Sequence, residues 1–124
     1  LHPNIMLASD GLMDNGQGHP RAAGAFPRFV RNYVGSGRLS LDEAVYKMAT
    51  MPAAKLGLSY KGNLRSGADA DVVVLDLDRI TDRATFDQPN AGPEGLDYVL
   101  VGGEVAVDHD RVVRSDLGRA VRKH

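Results

Sequence analysis

The hydrophobic pattern of this 124-residue chain changes near residue 60, and this change limits the folds that the chain can adopt. Before that point, apolar residues recur at the three- and four-residue spacing of helices. After it, they come in short unbroken runs between glycines, which is typical of strands. We therefore predict two parts: residues 1–61, of α/β type, and residues 62–124, of β type.

The first apolar run covers residues 5–8 and is followed by Ser9, Asp10 and Gly11. We interpret residues 5–11 as a buried strand and its end, and the aperiodic residues 12–24 as a loop. Parallel α/β folds gather active-site groups at the carboxyl ends of their strands, which makes Asp10 a candidate catalytic carboxylate. On spacing alone, a capping role for Asp10 is the simpler interpretation.

Two helices are predicted after this loop. Pro27 is placed for the first turn of one helix, and Gly35 follows its last apolar residues. Ser40 and Glu43 have the spacing of a capping box, in which each side chain bonds the backbone N–H of the other residue. We expect Pro52 to end or kink this second helix.

The sequence of the second part, residues 62–124, predicts strands and turns. The run of residues 71–76 contains three valines in succession and predicts a strand that is buried on both faces. Residues 77–95 predict an irregular polar crossing. Residues 96–108 predict a β-hairpin, because Gly102 and Gly103 tolerate the positive φ angles of a tight turn.

Composition argues against several classes of protein. The 15 basic and 16 acidic residues leave a net charge of −1, which gives no field to hold nucleic-acid phosphates. No apolar run reaches the length of a membrane span, so we expect no membrane partner and a cytoplasmic protein. The basic tail from Arg111 onward, which includes Arg122 and Lys123, is interpreted as a last strand or an extended arm.

Metal ligation by this chain alone is not expected. The chain has no cysteine, and its four histidines include no pair at i, i+2 or i, i+4 spacing: His2, His19, His109 and His124. We therefore assign no metal-binding residue within the chain.

A second group of polar residues lies in the loop after Asp10, in the sequence His19-Pro20-Arg21. An arginine can hold a carboxylate by two parallel hydrogen bonds, which makes Arg21 a candidate for binding an acidic group. His19 is either a second substrate-binding residue or a residue that orients the loop through backbone hydrogen bonds.

Five segments follow one another along the chain: IMLASDG, GHPRAAGAFPRFVRNYV, LSLDEAVYKMATMPAAKLGL, GADADVVVLDLDRITDRATFDQP and GLDYVLVGGEVAV. In this order they resemble the carboxyl-terminal portion of the N-acyl-D-amino-acid deacylases, or D-aminoacylases. These enzymes belong to the metal-dependent amidohydrolase superfamily. The HPR and DRATF segments point to the deacylase branch.

The resemblance implies a fold and a set of roles. Residues 5–11 would be the eighth strand in the last βα unit of a (β/α)8 barrel, and residues 62–124 would be part of a small β-sandwich domain. Asp10 would accept a proton from a metal-activated water and later deliver it to the leaving amine. Arg21 would grip the α-carboxylate of an N-acyl-D-amino acid, and His19 would also contact this substrate.

The resemblance further implies a zinc cofactor whose ligands lie upstream of Leu1. The remainder of the barrel would then come from a longer chain or a companion fragment, and the isolated chain would be inactive. Two alternatives stay open. One is a different amidohydrolase, of dihydroorotase or hydantoinase type. The other is a non-catalytic α+β assembly module in which Asp10 and Arg21 form a structural ion pair.

Overall fold

The computed structural model describes residues 2–121. Its elements in chain order are β1 (Met13–Asp14), β2 (Gln17–Gly18), α1 (Arg21–Phe29), α2 (Leu41–Val45), α3 (Met51–Leu56), β3 (Val72–Leu75), β4 (Leu96–Val101), β5 (Glu104–Asp108) and β6 (Arg111–Val112). Two π-helical turns, Val30–Val34 and Tyr46–Thr50, follow α1 and α2. Helices therefore precede residue 60 and a sheet follows it, as the change of pattern predicts.

Residues 5–11 do not form a strand, and this prediction is wrong for the described chain. The segment is irregular, and Ile5 is 62% exposed. Strands are stabilised by pairing their backbone groups with a neighbouring strand, and no strand among the described residues lies beside this segment. The apolar sequence of this segment predicts a buried strand, but its backbone pairs with no strand among the described residues.

The predicted loop of residues 12–24 contains more structure than expected. Strands β1 and β2 pair as an antiparallel hairpin across Asn15 and Gly16, whose φ angles are 48° and 78°. Asn-Gly is the pair most suited to such a turn. Helix α1 then begins at Arg21, so Pro27 lies inside the helix and not in its first turn. Since proline has no N–H, the helix loses one hydrogen bond there and continues.

The second helical run begins as predicted. The backbone N–H of Glu43 donates to Ser40 Oγ at 3.2 Å, and the N–H of Ser40 donates to Glu43 Oε2 at 2.9 Å. This capping box is confirmed. Two donors of Ser40 lower the pKa of the Glu43 carboxyl: first its backbone N–H, and then its hydroxyl, which donates to Glu43 Oε2 at 3.0 Å.

The second helical run continues to Leu56, so the prediction that it ends at Pro52 is wrong, while a kink stays a prediction at Pro52. The π-helical turn directly before it shifts the hydrogen-bond pattern, so that the N–H of Met51 bonds the carbonyl of Tyr46. Pro52 therefore falls in the first turn of α3, where a missing N–H costs little. The run ends at Gly57, whose φ of 72° is the left-handed conformation that favours glycine.

The other four strands form one antiparallel sheet in the order β3-β4-β5-β6. Gly102 and Gly103 form the predicted turn, with φ angles of 60° and 86°. Strand β3 is confirmed, but its predicted burial on both faces is wrong. Val73 and Val74, which point to opposite faces, are 55% and 43% exposed, so the described chain covers neither face of β3 at these residues.

The irregular crossing of residues 77–95 is confirmed and packs against α1. Gly24 of α1 is buried, and a methyl group at this position would lie 3.4 Å from the side chain of Asp82. Arg28, one turn further along α1, donates to Asp82 Oδ2 from Nε at 2.9 Å. The Asp82 carboxylate raises the pKa of Arg28, first through the hydrogen bond and then through its charge.

The described core is small. Its buried apolar residues come from the helical turns and the crossing: Val30, Leu39, Ala44, Ala53, Ile80 and Ala84. No helix in the described part of the chain has the length and apolar character needed to cross a membrane. The part of the basic tail that contains Arg122 and Lys123 lies outside the described residues. Its described beginning forms the short last strand β6, as one of the two interpretations predicted.

A partly exposed ion cluster joins the loop before β3 to the hairpin turn. The Lys61 ammonium contacts Asp69 Oδ2 at 2.8 Å and also contacts Asp71. The backbone N–H of Gly102 donates to Asp71 Oδ1 at 2.8 Å. The hydrogen bond from Lys61 is the main cause that lowers the pKa of both Asp69 and Asp71, and the Gly102 bond adds to it at Asp71.

We predict that Lys61→Met raises the pKa of both carboxyls, that of Asp69 toward its ordinary value, while the retained Gly102 bond keeps the pKa of Asp71 below its ordinary value. Carboxyl-carbon NMR titration measures both pKa values. Because these pKa values are lowered in the folded state, the stabilisation is present above the unfolded-state pKa and is lost as pH falls through the folded values. The variant should therefore be less stable than the parent protein at neutral pH, with a difference that disappears in acid.

The matched control is Lys55→Met, which removes an exposed lysine from α3. Unchanged titration of Asp69 in Lys61→Met, or an equal change in the control, would contradict the role of this cluster.

Candidate active site

The structure brings Asp10 and Arg21 together. Arg21 Nη2 lies 2.8 Å from Asp10 Oδ2. The Asp10 side chain is 83% exposed and that of Arg21 is 46% exposed. The two candidate residues therefore face one another at the surface, and not across a buried core.

Backbone geometry places Asp10 next to the start of α1. Asp10 adopts a φ of 47°, in the left-handed region. Gly11 then passes so close to the helix that a methyl group at this position would lie 2.4 Å from Ala22 Cα. Only glycine permits this approach, so the sequence Asp10-Gly11 turns the chain and seats it against the first turn of α1.

His19 fixes the start of α1. Its Nδ1 accepts the backbone N–H of Arg21 at 3.0 Å, and its carbonyl accepts the N–H of Ala22 at 3.0 Å. Because Nδ1 is an acceptor, the neutral imidazole has its proton on Nε2. The ring also makes an edge contact with Phe86, at 5.1 Å between centroids and an interplanar angle of 75°. The structure therefore shows the loop-orienting role of His19 and leaves its Nε2–H available as a donor.

An open cavity of ≈ 500 Å³ adjoins these side chains. Helix α1 and the crossing form its walls, and the lining includes His19, Arg21, Arg28, Ala84, Thr85 and Phe86. Arg28 is held by the nearly buried carboxylate of Asp82, whose side chain is 8% exposed. Arg21 has only the exposed carboxylate of Asp10 as its ion-pair partner among the described contacts. Arg21 is therefore the arginine of this cavity whose partner carboxylate an incoming acidic group can more readily displace.

Sequence reasoning did not single out Phe86 or Asp82 as parts of the site. Both lie far along the chain from Arg21, and only the packing of the crossing against α1 brings Phe86 to the cavity and Asp82 to Arg28. The DRATF segment contains both residues, but no local spacing indicates which part of the fold they contact.

The described residues do not fit a metal site by themselves. Within residues 2–121, no three histidine, aspartate or glutamate side chains are grouped so that they could hold a metal ion. Structural zinc sites use four protein ligands and catalytic zinc sites usually use three. Asp10 is a single carboxylate, so the described chain lacks the donor set that a zinc ion requires.

Comparison with known proteins identifies the family. Residues 3–107 match a model described as "Amidohydrolase family". The chain belongs to the amidohydrolase family. It is 45% identical over 103 residues to the N-acyl-D-glutamate deacylase of Alcaligenes xylosoxydans xylosoxydans, a match that covers 82% of this chain and 21% of that protein.

Solved structures agree with this assignment. A D-aminoacylase crystal structure has a TM-score of 0.85 and 35% identity, and the match covers 95% of this chain and 25% of that one. An N-acyl-D-glutamate deacylase from Bordetella bronchiseptica, complexed with zinc and a phosphonate inhibitor, has a TM-score of 0.79 and 38% identity over 92% of this chain and 26% of that one. The resemblance to the deacylases is confirmed, and the chain spans about a quarter of the length of these structures.

We predict that His19→Ala and His19→Asn differ at the start of α1. Asparagine can accept the N–H of Arg21 as the imidazole does, whereas alanine cannot. With a capping contact worth about 1 kcal/mol, amide exchange at Arg21 should be about fivefold faster in the alanine variant. The asparagine variant should stay near the parent rate. Equal protection of the Arg21 amide in both variants would show that the imidazole does not hold this turn.

Proposed function

We propose that this chain is the carboxyl-terminal portion of a zinc-dependent N-acyl-D-amino-acid deacylase. Such an enzyme hydrolyses a linear amide bond and yields a carboxylate and a D-amino acid. One observation supports the proposal most directly. A chain of the amidohydrolase family places Asp10 and Arg21 side by side, 2.8 Å apart, and Arg21 lines an open cavity. The similarity to N-acyl-D-glutamate deacylase and D-aminoacylase points to the substrate class.

The proposal includes the finer division of the fold. Residues 5–11 would take the position of the eighth strand of a (β/α)8 barrel, in the domain of residues 1–61. Residues 62–124 would be part of a small β-sandwich. Exposed apolar side chains at Ile5 and at Val73 support this division, because Ile5 lies on backbone with no partner strand among the described residues and Val73 lies on the edge strand of the described sheet. The missing neighbours would come from the remainder of the enzyme, in a longer chain or a companion fragment.

Asp10 is the proposed proton-transfer group. Addition of water to an amide releases a proton, and departure of the amine requires one. A single carboxylate within hydrogen-bond reach of both atoms can accept the first proton and supply the second. The exposed Asp10 side chain can reach a substrate bound in front of it. Zinc, bound by residues outside this chain, would supply Lewis-acid chemistry.

Arg21 is the proposed anchor for the substrate carboxylate. Its pair with Asp10 is exposed and makes one contact, and pairs of this kind contribute about 0–1 kcal/mol. An incoming carboxylate can form two parallel bonds with the guanidinium and displace Asp10 at little cost. The exchange would also free the Asp10 carboxylate when substrate is present. The Nε2–H of His19 would donate to the same substrate group.

A purely structural ion pair, as in an assembly module, is less well supported. A structural pair is expected to be partly buried or fixed by further hydrogen bonds. Asp10 is instead 83% exposed, and Arg21 Nη2 is its one ion-pair contact among the described residues. The Asp10–Arg21 ion pair therefore has the exposure of a contact that a bound substrate can separate.

We predict that the full-length protein releases D-amino acids from N-acetyl-D-glutamate, N-acetyl-D-aspartate or N-acetyl-D-methionine and not from their L-enantiomers. Asp10→Asn should lower kcat by about 10²–10⁴-fold with little change in KM, because it removes proton transfer and not binding. Release of the free amino acid is measured at matched metal content. A chelator should abolish the rate and added zinc should restore it.

Two outcomes would count against this function. Equal rates on both enantiomers, or hydrolysis confined to hydantoins and dihydroorotate, would favour a different amidohydrolase. An Asp10→Asn variant with full activity would remove the proposed role of Asp10.

We predict that Arg21→Met raises KM by about 10–100-fold, because hydrogen bonds to charged groups contribute about 1.5–3 kcal/mol. Arg21→Lys should fall between the methionine variant and the parent protein, since lysine keeps the charge but loses the two parallel donors. Steady-state kinetics on one N-acetyl-D-amino acid gives the comparison. Arg65→Met, at an exposed arginine of the loop before β3, is the control and should leave KM unchanged.

A further inference from the structure

Within residues 2–121, Lys47 is the one charged residue that is buried as a whole. Only 8% of this residue is exposed. Its ammonium donates to three backbone carbonyls, those of His2 at 2.7 Å, Pro3 at 3.2 Å and Ile5 at 3.2 Å. A buried charge is costly unless it is hydrogen-bonded, so these contacts explain how the fold tolerates this lysine.

The number of donors matches the number of acceptors. A lysine ammonium has three N–H donors and no acceptor, and each donor has one carbonyl. The backbone carbonyl of Lys47 also accepts the N–H of Leu7, at 3.2 Å. A single residue of the π-helical turn therefore bonds the segment of residues 2–7 at four points.

This segment leads directly to Asp10. It has no strand partner among the described residues, so the bonds to Lys47 replace the sheet pairing that usually fixes such a run. Three residues after Leu7 the chain reaches Asp10, and Gly11 then packs against Ala22 of α1. The backbone that presents the Asp10 carboxylate is thus held on one side by Lys47 and on the other by α1.

We propose that Lys47 is a positioning residue for Asp10, an inference that rests on the proposed function. By fixing the path of residues 2–7, Lys47 sets where the Asp10 carboxylate stands relative to Arg21 and to a bound amide. Lysine suits this task because its compact ammonium can direct three donors at converging carbonyls. The planar fork of arginine matches a carboxylate and not three separate carbonyl groups.

The test uses the full-length enzyme with Lys47→Met, which keeps the length of the side chain and removes its donors. A displacement of about 1 Å at a reacting group can cost about 10²-fold in rate, so kcat should fall by about 10–100-fold. KM should change by less than about threefold, because Arg21 binds the substrate and stands on α1. Lys55→Met is the matched control, at an exposed lysine of α3, and should leave both constants unchanged.

A double-mutant cycle separates positioning from a general loss of structure. If Lys47 acts through Asp10, Lys47→Met should lower kcat strongly in the parent enzyme and by less than about twofold in the Asp10→Asn background. A purely structural role lowers both rates by the same factor and would overturn the proposal. A normal kcat in Lys47→Met would overturn it as well.

A second variant and the activity of the parent enzyme distinguish a folding defect, a failure of the proposed function and a failure of the role of Lys47. If Lys47→Met does not accumulate as folded protein, Lys47→Gln, which keeps two N–H donors, replaces it in the same cycle with a smaller expected loss. Failure of the proposed function appears differently, as a parent enzyme without deacylase activity, and this result would overturn both proposals. An active parent enzyme with an additive cycle would overturn only the role of Lys47.

Discussion

The packing of α1 against the irregular crossing is the contact on which the rest of this structure depends. Gly24 is buried where the crossing packs on the helix, and the bond from Arg28 to Asp82 holds the two together. This contact joins the helical part of the chain to the part that contains the sheet. It also forms the cavity beside Arg21, since one wall comes from each part. A larger side chain at residue 24 would act on the fold and the cavity together.

The two arginines of α1 that form ion pairs, Arg21 and Arg28, differ in the exposure of their partner carboxylates. This difference indicates different roles for the two pairs. The Asp82 side chain is nearly buried beneath Arg28, whereas the Asp10 side chain is almost fully in solvent beside Arg21. Removing water from a carboxylate makes its cation hard to replace, so the Arg28 pair is a structural contact. The Arg21 pair stays hydrated and exchanges readily. One helix thus supplies a fixed arginine and an available one within two turns.

Much of the fold could be predicted because its signals are local. The capping box of Ser40 and the glycine turn at residues 102 and 103 depend only on neighbouring residues, and both are confirmed. Residues 5–11 could not be assigned in this way, because a strand is defined by the chain beside it. The continuation of the helical run through Pro52 could not be predicted for a related reason: a π-helical turn changes the hydrogen-bond pattern before the proline. In the candidate site, Asp10, His19 and Arg21 were visible from the sequence, while Phe86 reaches the cavity only through tertiary packing.

Strand β3 has a consequence for how such a chain behaves among other molecules. Its outer backbone groups face no strand within the described sheet, and the exposed valines beside them add apolar surface. An open edge of this kind is a template onto which another extended peptide can hydrogen-bond. If the remainder of the enzyme pairs with this edge first, the sheet is completed. If a second copy of this chain pairs with it first, the two copies self-associate, so the order of assembly decides the outcome.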